Sequence, residues 1–433
     1  MELITRAAKK IEGTVYVPGD KSISHRAITF ASLAKGRSCI KNLLSSADCL
    51  STMGCFKDLG VKIVNDKELT RIEGVGISGL KEPKNILNVG NSGTTLRTLP
   101  GILAGQDFLS ILTGDDSIRS RPMDRIINPL REMGAEIVGR GGDKFAPIAI
   151  KGRRLKGISY TTPVASAQVK TSLLLAGLYA NGTTTVTEKY QSRDHTERFF
   201  DFFEIAYKKQ VGAAGEVSIS LEGGQSFKGA DIIIAGDISS AAFFIAAALI
   251  AEDAELLIVD VGLNPTRIGI LEVLQQMGAE IEITDQKDFA NEPVGTLRIR
   301  NQKLRATEIG GSIIPRVIDE LPIIAVIASQ ADGETIIKDA AELRVKESDR
   351  IGKLTMELRK MGVDIEERDD GFIVNGPTDL KGAVVDSHND HRLAMTLAIA
   401  ASRAEGETVI RNSESINVSY PGFESTLNRI TKK

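Results

Sequence analysis

The sequence predicts an α/β protein of two domains, each made of three copies of one repeating unit. Three observations carry that expectation. Ala-rich helical runs that begin on a small or polar residue recur at 24–34, 92–104, 166–180, 239–251, 319–331 and 390–404, their starts about 70 residues apart; solenoids and propellers repeat every 20–50 residues. Most runs lead through a Gly turn into a β-branched strand, as in Gly182-Thr-Thr-Thr-Val186, Gly333-Glu-Thr-Ile-Ile337 and Gly406-Glu-Thr-Val-Ile410. A second helix then leaves four times through a Gly: Leu59-Gly-Val-Lys-Ile63, Met133-Gly-Ala-Glu-Ile137, Met277-Gly-Ala-Glu-Ile281 and Met361-Gly-Val-Asp-Ile365. Gly just past a helix end, followed by apolar alternation, marks a helix-to-strand passage.

In chain order, a strand over 3–17 opens the molecule and runs into Pro18-Gly-Asp-Lys-Ser-Ile-Ser-His-Arg26. Lys21, Ser22 and Arg26 there surround a Gly turn at the start of the 24–34 helix, where free backbone N–H groups favour anions. The stretch lacks the P-loop spacing, so a nucleoside triphosphate is not implied. The second repeat starts with Asn91-Ser-Gly-Thr-Thr-Leu-Arg97, whose small residues, Gly93 among them, let a ligand approach the backbone. The third starts with Ser166-Ala167-Gln168, the fourth with Asp237-Ile-Ser-Ser240, the fifth with Asp319-Glu320 and the sixth with Asn389-Asp390-His391-Arg392. If these helices run the same way, their positive ends converge, which suits a polyanionic ligand. The third repeat is less regular, and the sixth ends early at 422–430. Six repeats divide most simply into domains of three, over 19–236 and over 1–18 with 237–433. The chain then crosses between domains near 18–20 and again near 236–238.

At 433 residues the chain is too long for one compact core. Its 42% hydrophobic and 26% charged residues are ordinary for a globular protein, and a net charge of −3 gives no reason to expect nucleic acid or an anionic membrane. Anion binding must therefore come from local cations. These stand at Arg119 and Arg121, at Arg193, and most densely in Arg344-Val-Lys-Glu-Ser-Asp-Arg350, where arginines offer bidentate recognition and Lys346 a mobile charge. Glu347 among them stays ionised in isolation, so an acid role requires bound anions. Cys39, Cys49 and Cys55 form neither a disulfide framework nor a metal set, which fits a reducing cytoplasm. No signal segment is evident at the start, and the longest apolar run, 241–251, is too short to span a bilayer. His25, His195, His388 and His391 lack zinc-site spacing, and neither Gly-x-Ser-x-Gly nor Gly-x-Gly-x-x-Gly supports a serine hydrolase or a dinucleotide site.

Four motifs taken together, Gly19-Asp-Lys-Ser-Ile-Ser-His-Arg26, Asn91-Ser-Gly-Thr-Thr-Leu-Arg97, Arg344-Val-Lys-Glu-Ser-Asp-Arg350 and Asp390-His-Arg-Leu-Ala-Met395, resemble the 3-phosphoshikimate 1-carboxyvinyltransferases (EPSP synthases). Ser166-Ala-Gln168 and Ser192-Arg-Asp-His-Thr-Glu197 resemble the family's bacterial members. The resemblance runs end to end. It implies two domains of three β-α-β-α-β-β repeats, the inside-out α/β barrel of enolpyruvyl transferases, joined by a two-stranded hinge. It implies transfer of the enolpyruvyl group of phosphoenolpyruvate to the 5-hydroxyl of shikimate 3-phosphate, by addition and elimination, with no metal or organic cofactor. Carried over by position, Lys21, Ser22, Arg26, Ser166, Gln168, Asp319 and Lys346 hold shikimate 3-phosphate. Lys21, Gly93, Arg121, Gln168, Arg350 and Arg392 hold phosphoenolpyruvate. Asp319 becomes the base at the 5-hydroxyl, and Glu347 with Lys21 handles the proton at the methylene carbon. Where the family often has a Lys before its Ser/Thr-Phe/Tyr-Pro element, this chain has Val418. The sugar-nucleotide transferases of the same fold open with Lys-Asn rather than Lys21-Ser22, and carry a reactive loop Cys that 113–121 lacks. The expected partners are the two small-molecule substrates, with the chain a cytoplasmic monomer.

Overall fold

The computed structural model describes residues 1–66 and 69–432. The chain forms two compact bodies. An N-terminal body comprises Gly19–Ile234 with Phe289–Glu292, and a C-terminal body comprises Met1–Pro18, Ala235–Asp288 and Pro293–Lys433.

The second repeat shows the pattern most plainly. Strand Leu87–Asn88, helix Gly93–Leu103, strand Leu109–Thr113, helix Asp124–Glu132 and strands Glu136–Gly139 and Phe145–Lys151 follow in sequence. Leu109–Thr113 lies parallel to the first strand and antiparallel to the last, with Glu136–Gly139 at the far edge. The third repeat builds the same sheet from Ser159–Thr162, Thr183–Glu188, Val217–Glu222 and Lys208–Val211. So does the fifth, from Glu308–Ile309, Gly333–Ile337, Gly371–Gly376 and Asp364–Arg368. A helical connection bridges the parallel pair in each case, as two parallel strands require.

The first and fourth repeats depart from this order, and the opening strand is corrected with them. The expected single strand over 3–17 is two strands in different sheets. Glu2–Arg6 pairs antiparallel with Glu407–Arg411 and so supplies the strand that the short sixth repeat lacks. Between them Ala8 N–H donates to Ser402 O (2.8 Å) and Lys9 N–H to Lys432 O (3.0 Å), which carries the backbone from one sheet to the other. Lys10–Tyr16, although it precedes the first helix, lies parallel to Asp253–Gly262 in the fourth repeat. Asp231–Ile233, which precedes the fourth helix, lies parallel to Lys35–Lys41 in the first. The two leading strands are exchanged, and each body closes its own set of sheets.

Helices lie inside and sheets outside. All 13 residues of Ile238–Ile250 and all 8 of Leu321–Ala328 are buried, whereas strands such as Leu109–Thr113 alternate between buried and exposed positions. Small side chains permit this close helix packing. At Gly101 a Cβ would stand 2.0 Å from the Ser172 carbonyl oxygen, so helix Gly93–Leu103 can abut Ala167–Gly177 only with glycine there. The four exit glycines, Gly60, Gly134, Gly278 and Gly362, have φ of 90°, 99°, 90° and 87°, the left-handed cap that ends a helix without Cβ strain.

Two helix starts differ from expectation. The first helix is Lys21–Leu33 rather than 24–34, because Asp20 caps it by accepting from Ile23 N–H (2.8 Å). Lys21 and Ser22 thereby enter its first turn. The fifth begins at Leu321, after a short helix Ile314–Val317, with Pro322 in its first turn. Pro is favoured there because it lacks the unneeded N–H. Asp319 thus lies in the turn before the helix and does not cap it.

Candidate active site

The residues singled out in the sequence fall into two clusters, one in each body. In the N-terminal body the cluster is built on the first turns of three helices, Lys21–Leu33, Gly93–Leu103 and Ala167–Gly177. Lys21 forms an ion pair with Asp48. Arg193 Nη1 reaches Ser22 Oγ (3.4 Å) from the loop before helix His195–Phe202. Gln168 ties two helices together: its Oε1 accepts from Arg97 (2.8 Å) and its Nε2 donates to Thr94 Oγ1 (3.2 Å). Ser166 caps its helix by accepting from Val169 N–H (3.5 Å). Arg121 donates to Asn91 Oδ1 (3.0 Å), and a Cβ on Gly93 would stand 2.9 Å from its Nη1. Glycine at 93 is what lets this guanidinium lie against the helix start.

Arg26 is buried in the same cluster. It donates to Thr196 Oγ1 (2.8 Å), Thr171 Oγ1 (2.7 Å) and the Ser22 carbonyl (3.0 Å). Burial pulls its guanidinium down to about 10, a shift that Glu197 and Asp20 oppose through space.

In the C-terminal body the cluster surrounds Arg350, whose side chain is 1% exposed. Its Nε donates to Asp390 (2.8 Å), its Nη2 to Glu347 (2.6 Å), and its Nη1 stands 3.6 Å from Asp319. Burial works against the charge, yet Asp390 and Glu347 hold the guanidinium above its ordinary value. Asp390 is shared three ways: besides Arg350, it accepts from Ser348 Oγ (3.0 Å) and caps the sixth first helix, His391–Ala401, through Arg392 N–H (2.9 Å). Burial raises its carboxyl, but Arg350 and His391 bring it below the usual carboxylate range. Arg392 donates to the Asp319 carbonyl (3.0 Å) and lies 3.8 Å from its carboxylate. Asp319 is therefore faced by two guanidinium groups. Buried Glu320 accepts from Ser239 Oγ, and burial pushes its carboxyl above the usual range.

Lys346 is half-buried between Arg350 and the end of the turn Ala341–Val345 in sequence. Arg344, expected in the same cluster, is committed elsewhere. It binds Asp349 (2.8 Å), Glu367 (3.0 Å) and the carbonyls of Asp369 and Arg368. Asp48, Asp390 and Glu320 were not assigned a part from the sequence, and no spacing announces the pairing of Asp48 with Lys21. Arg193, in the Ser192–Glu197 motif, carries no role from the sequence beyond that of a loop cation. His388 Nε2 lies 3.0 Å from Glu357 Oε1. Among the described residues no group of three or more His, Cys, Asp or Glu could hold a metal ion, and no helix is long and apolar enough to cross a membrane.

Each body therefore carries cations and carboxylates gathered at helix N-termini, on helices enclosed by sheets. The enolpyruvyl transferase NikO from Streptomyces tendae shares this fold, with a TM-score of 0.78 at 18% identity over 99% of this chain and 97% of that one. EPSP synthase from Acinetobacter baumannii matches at TM-score 0.89 and 41% identity, covering 99% and 98%. In sequence, the 3-phosphoshikimate 1-carboxyvinyltransferase of Bacillus subtilis (strain 168) is 51% identical over 424 residues, 98% of each chain, and that of Geobacillus kaustophilus is 52% identical over 429 residues, 99% of each. The family model of EPSP synthase (3-phosphoshikimate 1-carboxyvinyltransferase) matches residues 5–427. The chain belongs to the EPSP synthase family.

Proposed function

We propose that this chain is a 3-phosphoshikimate 1-carboxyvinyltransferase, moving the enolpyruvyl group of phosphoenolpyruvate to the 5-hydroxyl of shikimate 3-phosphate with release of phosphate. The family match over residues 5–427 carries this reading. The product serves aromatic amino-acid biosynthesis.

The residue roles are our assignment, supported by the chemistry of the two clusters. Two phosphates and two carboxylates need many fixed cations, which cost little reorganisation when already held by protein hydrogen bonds. Lys21, Ser22, Arg26, Ser166, Gln168, Asp319 and Lys346 take shikimate 3-phosphate; Lys21, Gly93, Arg121, Gln168, Arg350 and Arg392 take phosphoenolpyruvate. Asp319 removes the 5-hydroxyl proton as the oxygen adds to phosphoenolpyruvate, and Glu347 with Lys21 delivers a proton to the methylene carbon. The resulting ketal then loses that proton and phosphate. Glu347 is bound to Arg350 at 2.6 Å, which favours its anion. A phosphoenolpyruvate anion on Arg350 offsets that pull and makes the carboxyl available as an acid. All these groups come from one chain, and we take the enzyme to act as a monomer. Its free thiols at Cys39, Cys49 and Cys55 suit the cytoplasm.

The test is phosphate release from phosphoenolpyruvate with either shikimate 3-phosphate or UDP-N-acetylglucosamine as acceptor. Turnover is expected only with shikimate 3-phosphate. Turnover only with the sugar nucleotide, or with neither, overturns the proposal.

A further inference from the structure

Arg26 is a buried cation whose hydrogen-bond acceptors are all neutral. Its side chain bonds two threonine hydroxyls and one carbonyl. A guanidinium has five N–H donors, so two remain unused among the described residues. Arg350 is buried as deeply but bonds the carboxylates of Asp390 and Glu347. A buried charge without a bonded counter-ion is costly, and an arriving anion relieves that cost.

Two adjacent pairs of residues hold Arg26 in place. The hydroxyls of Thr171, on helix Ala167–Gly177, and Thr196, on helix His195–Phe202, lie 2.7 Å apart. One residue along, Lys170 bonds Glu197 (2.7 Å) and Glu188 (2.9 Å), with all three side chains at most 3% exposed. Burial opposes the Lys170 charge, but Glu197 and Glu188 outweigh it and keep the ammonium. The helices are thus cross-linked by consecutive residues, 170 to 197 and 171 to 196. With both carboxylates ionised this triplet carries one net negative charge. Glu197 favours the Arg26 charge through space, as Asp20 does, and is not among the acceptors of its N–H groups.

We propose that Thr171 and Thr196 are positioning residues that fix the Arg26 guanidinium with two N–H donors free for an anionic group of the acceptor substrate, and that the Lys170–Glu188–Glu197 triplet locks the two threonines. The inference rests on the proposed role of Arg26 in holding shikimate 3-phosphate.

Calorimetric titration with shikimate 3-phosphate tests it in wild type, Thr171→Val, Thr196→Val and Thr196→Ser, and again with Arg26→Lys added, alongside thermal melting and the KM for phosphoenolpyruvate. Valine keeps the shape and removes the hydroxyl. Each valine variant should weaken shikimate 3-phosphate binding by roughly tenfold, the worth of about one hydrogen bond to a charged group. Thr196→Ser should stay near wild type, the phosphoenolpyruvate KM should move little, and in the Arg26→Lys background the valines should add no further loss. If a valine variant does not fold, Thr196→Ala is read by the same rule. Unchanged affinity in a folded variant, or an equal loss with Arg26 already replaced, overturns the positioning role alone. A folded wild-type chain that does not bind shikimate 3-phosphate overturns the functional reading with it.

Discussion

Asp319 stands 3.6 Å from Arg350 and 3.8 Å from Arg392, in the turn before helix Leu321–Ala328, which it does not cap. That arrangement suits a carboxylate kept ionised as a base better than a helix cap. Asp319→Asn and Glu347→Gln preserve size and polarity but end proton exchange. Each should lower kcat by about 10²–10⁴-fold, the usual share of a general acid or base, with far smaller changes in substrate Kd. A change confined to KM would mark binding residues instead, and an Asp319→Asn enzyme that melts early yet turns over normally would end the catalytic assignment. Val418 sits half-buried at the end of the turn Ser413–Val418. The chain beyond it is anchored by Tyr420, whose ring packs on Phe244 and Phe423 at 5.8 and 5.7 Å. Val418→Lys should tighten phosphoenolpyruvate by roughly tenfold or somewhat more, since a charge-assisted contact is worth about 1.5–3 kcal/mol, and leave shikimate 3-phosphate affinity nearly alone. No change in either Kd would mean that a neighbouring cation already fills that place.

At the scale of elements, the helix starts of the N-terminal body are joined by a chain of side chains. His25 Nδ1 meets Thr52 Oγ1 (2.7 Å), which meets Thr95 Oγ1 (2.6 Å), which meets Ser92 Oγ (2.7 Å). His25, Thr52 and Thr95 belong to helices Lys21–Leu33, Ala47–Asp58 and Gly93–Leu103. Burial pushes the His25 imidazole down to about 3, so the folded chain keeps it neutral where an unfolded chain protonates it near pH 6.5. Between those limits the unfolded state binds the extra proton. The neutral ring's contribution is complete above about pH 6.5 and is lost as pH falls towards 3, at about 1.4 kcal/mol per pH unit. Denaturant unfolding at several pH values should therefore show a shallower acid slope for His25→Gln, by close to one proton. Parallel slopes for the two proteins would show that the ring is charged in the folded state.

At the scale of the whole molecule, the proposed ligands divide between the bodies. Lys21, Arg26 and Arg121 belong to one, and Lys346, Arg350 and Arg392 to the other. Under the function proposed above, shikimate 3-phosphate takes ligands from both sets, and cations that otherwise repel one another are drawn together by a shared anion. Small-angle scattering should give a smaller radius of gyration with saturating shikimate 3-phosphate than without it. An unchanged radius in an enzyme shown to be saturated would count against closure.

The amino-acid sequence alone determined the α/β class, the sixfold repeat and the residues at the helix starts. Those features are local: Ala-rich runs, exit glycines and polar first turns are set by neighbours within a few residues. The motifs at Lys21–Arg26 and Arg344–Arg350 also pointed to the family that the comparisons then showed. What the tertiary structure decided depends on distant parts of the chain. The sixfold repeat sets residues 1–18 with the C-terminal half, but only the fold shows that Lys10–Tyr16 pairs with Asp253–Gly262 while Glu2–Arg6 joins Glu407–Arg411. Arg344 and Arg350 look equivalent in sequence, yet one turns to Glu367 and the other to Asp390. The pairing of Thr171 with Thr196 beside Arg26 joins three separate repeat elements, and hydrogen bonds across such separations leave no periodic trace in a sequence.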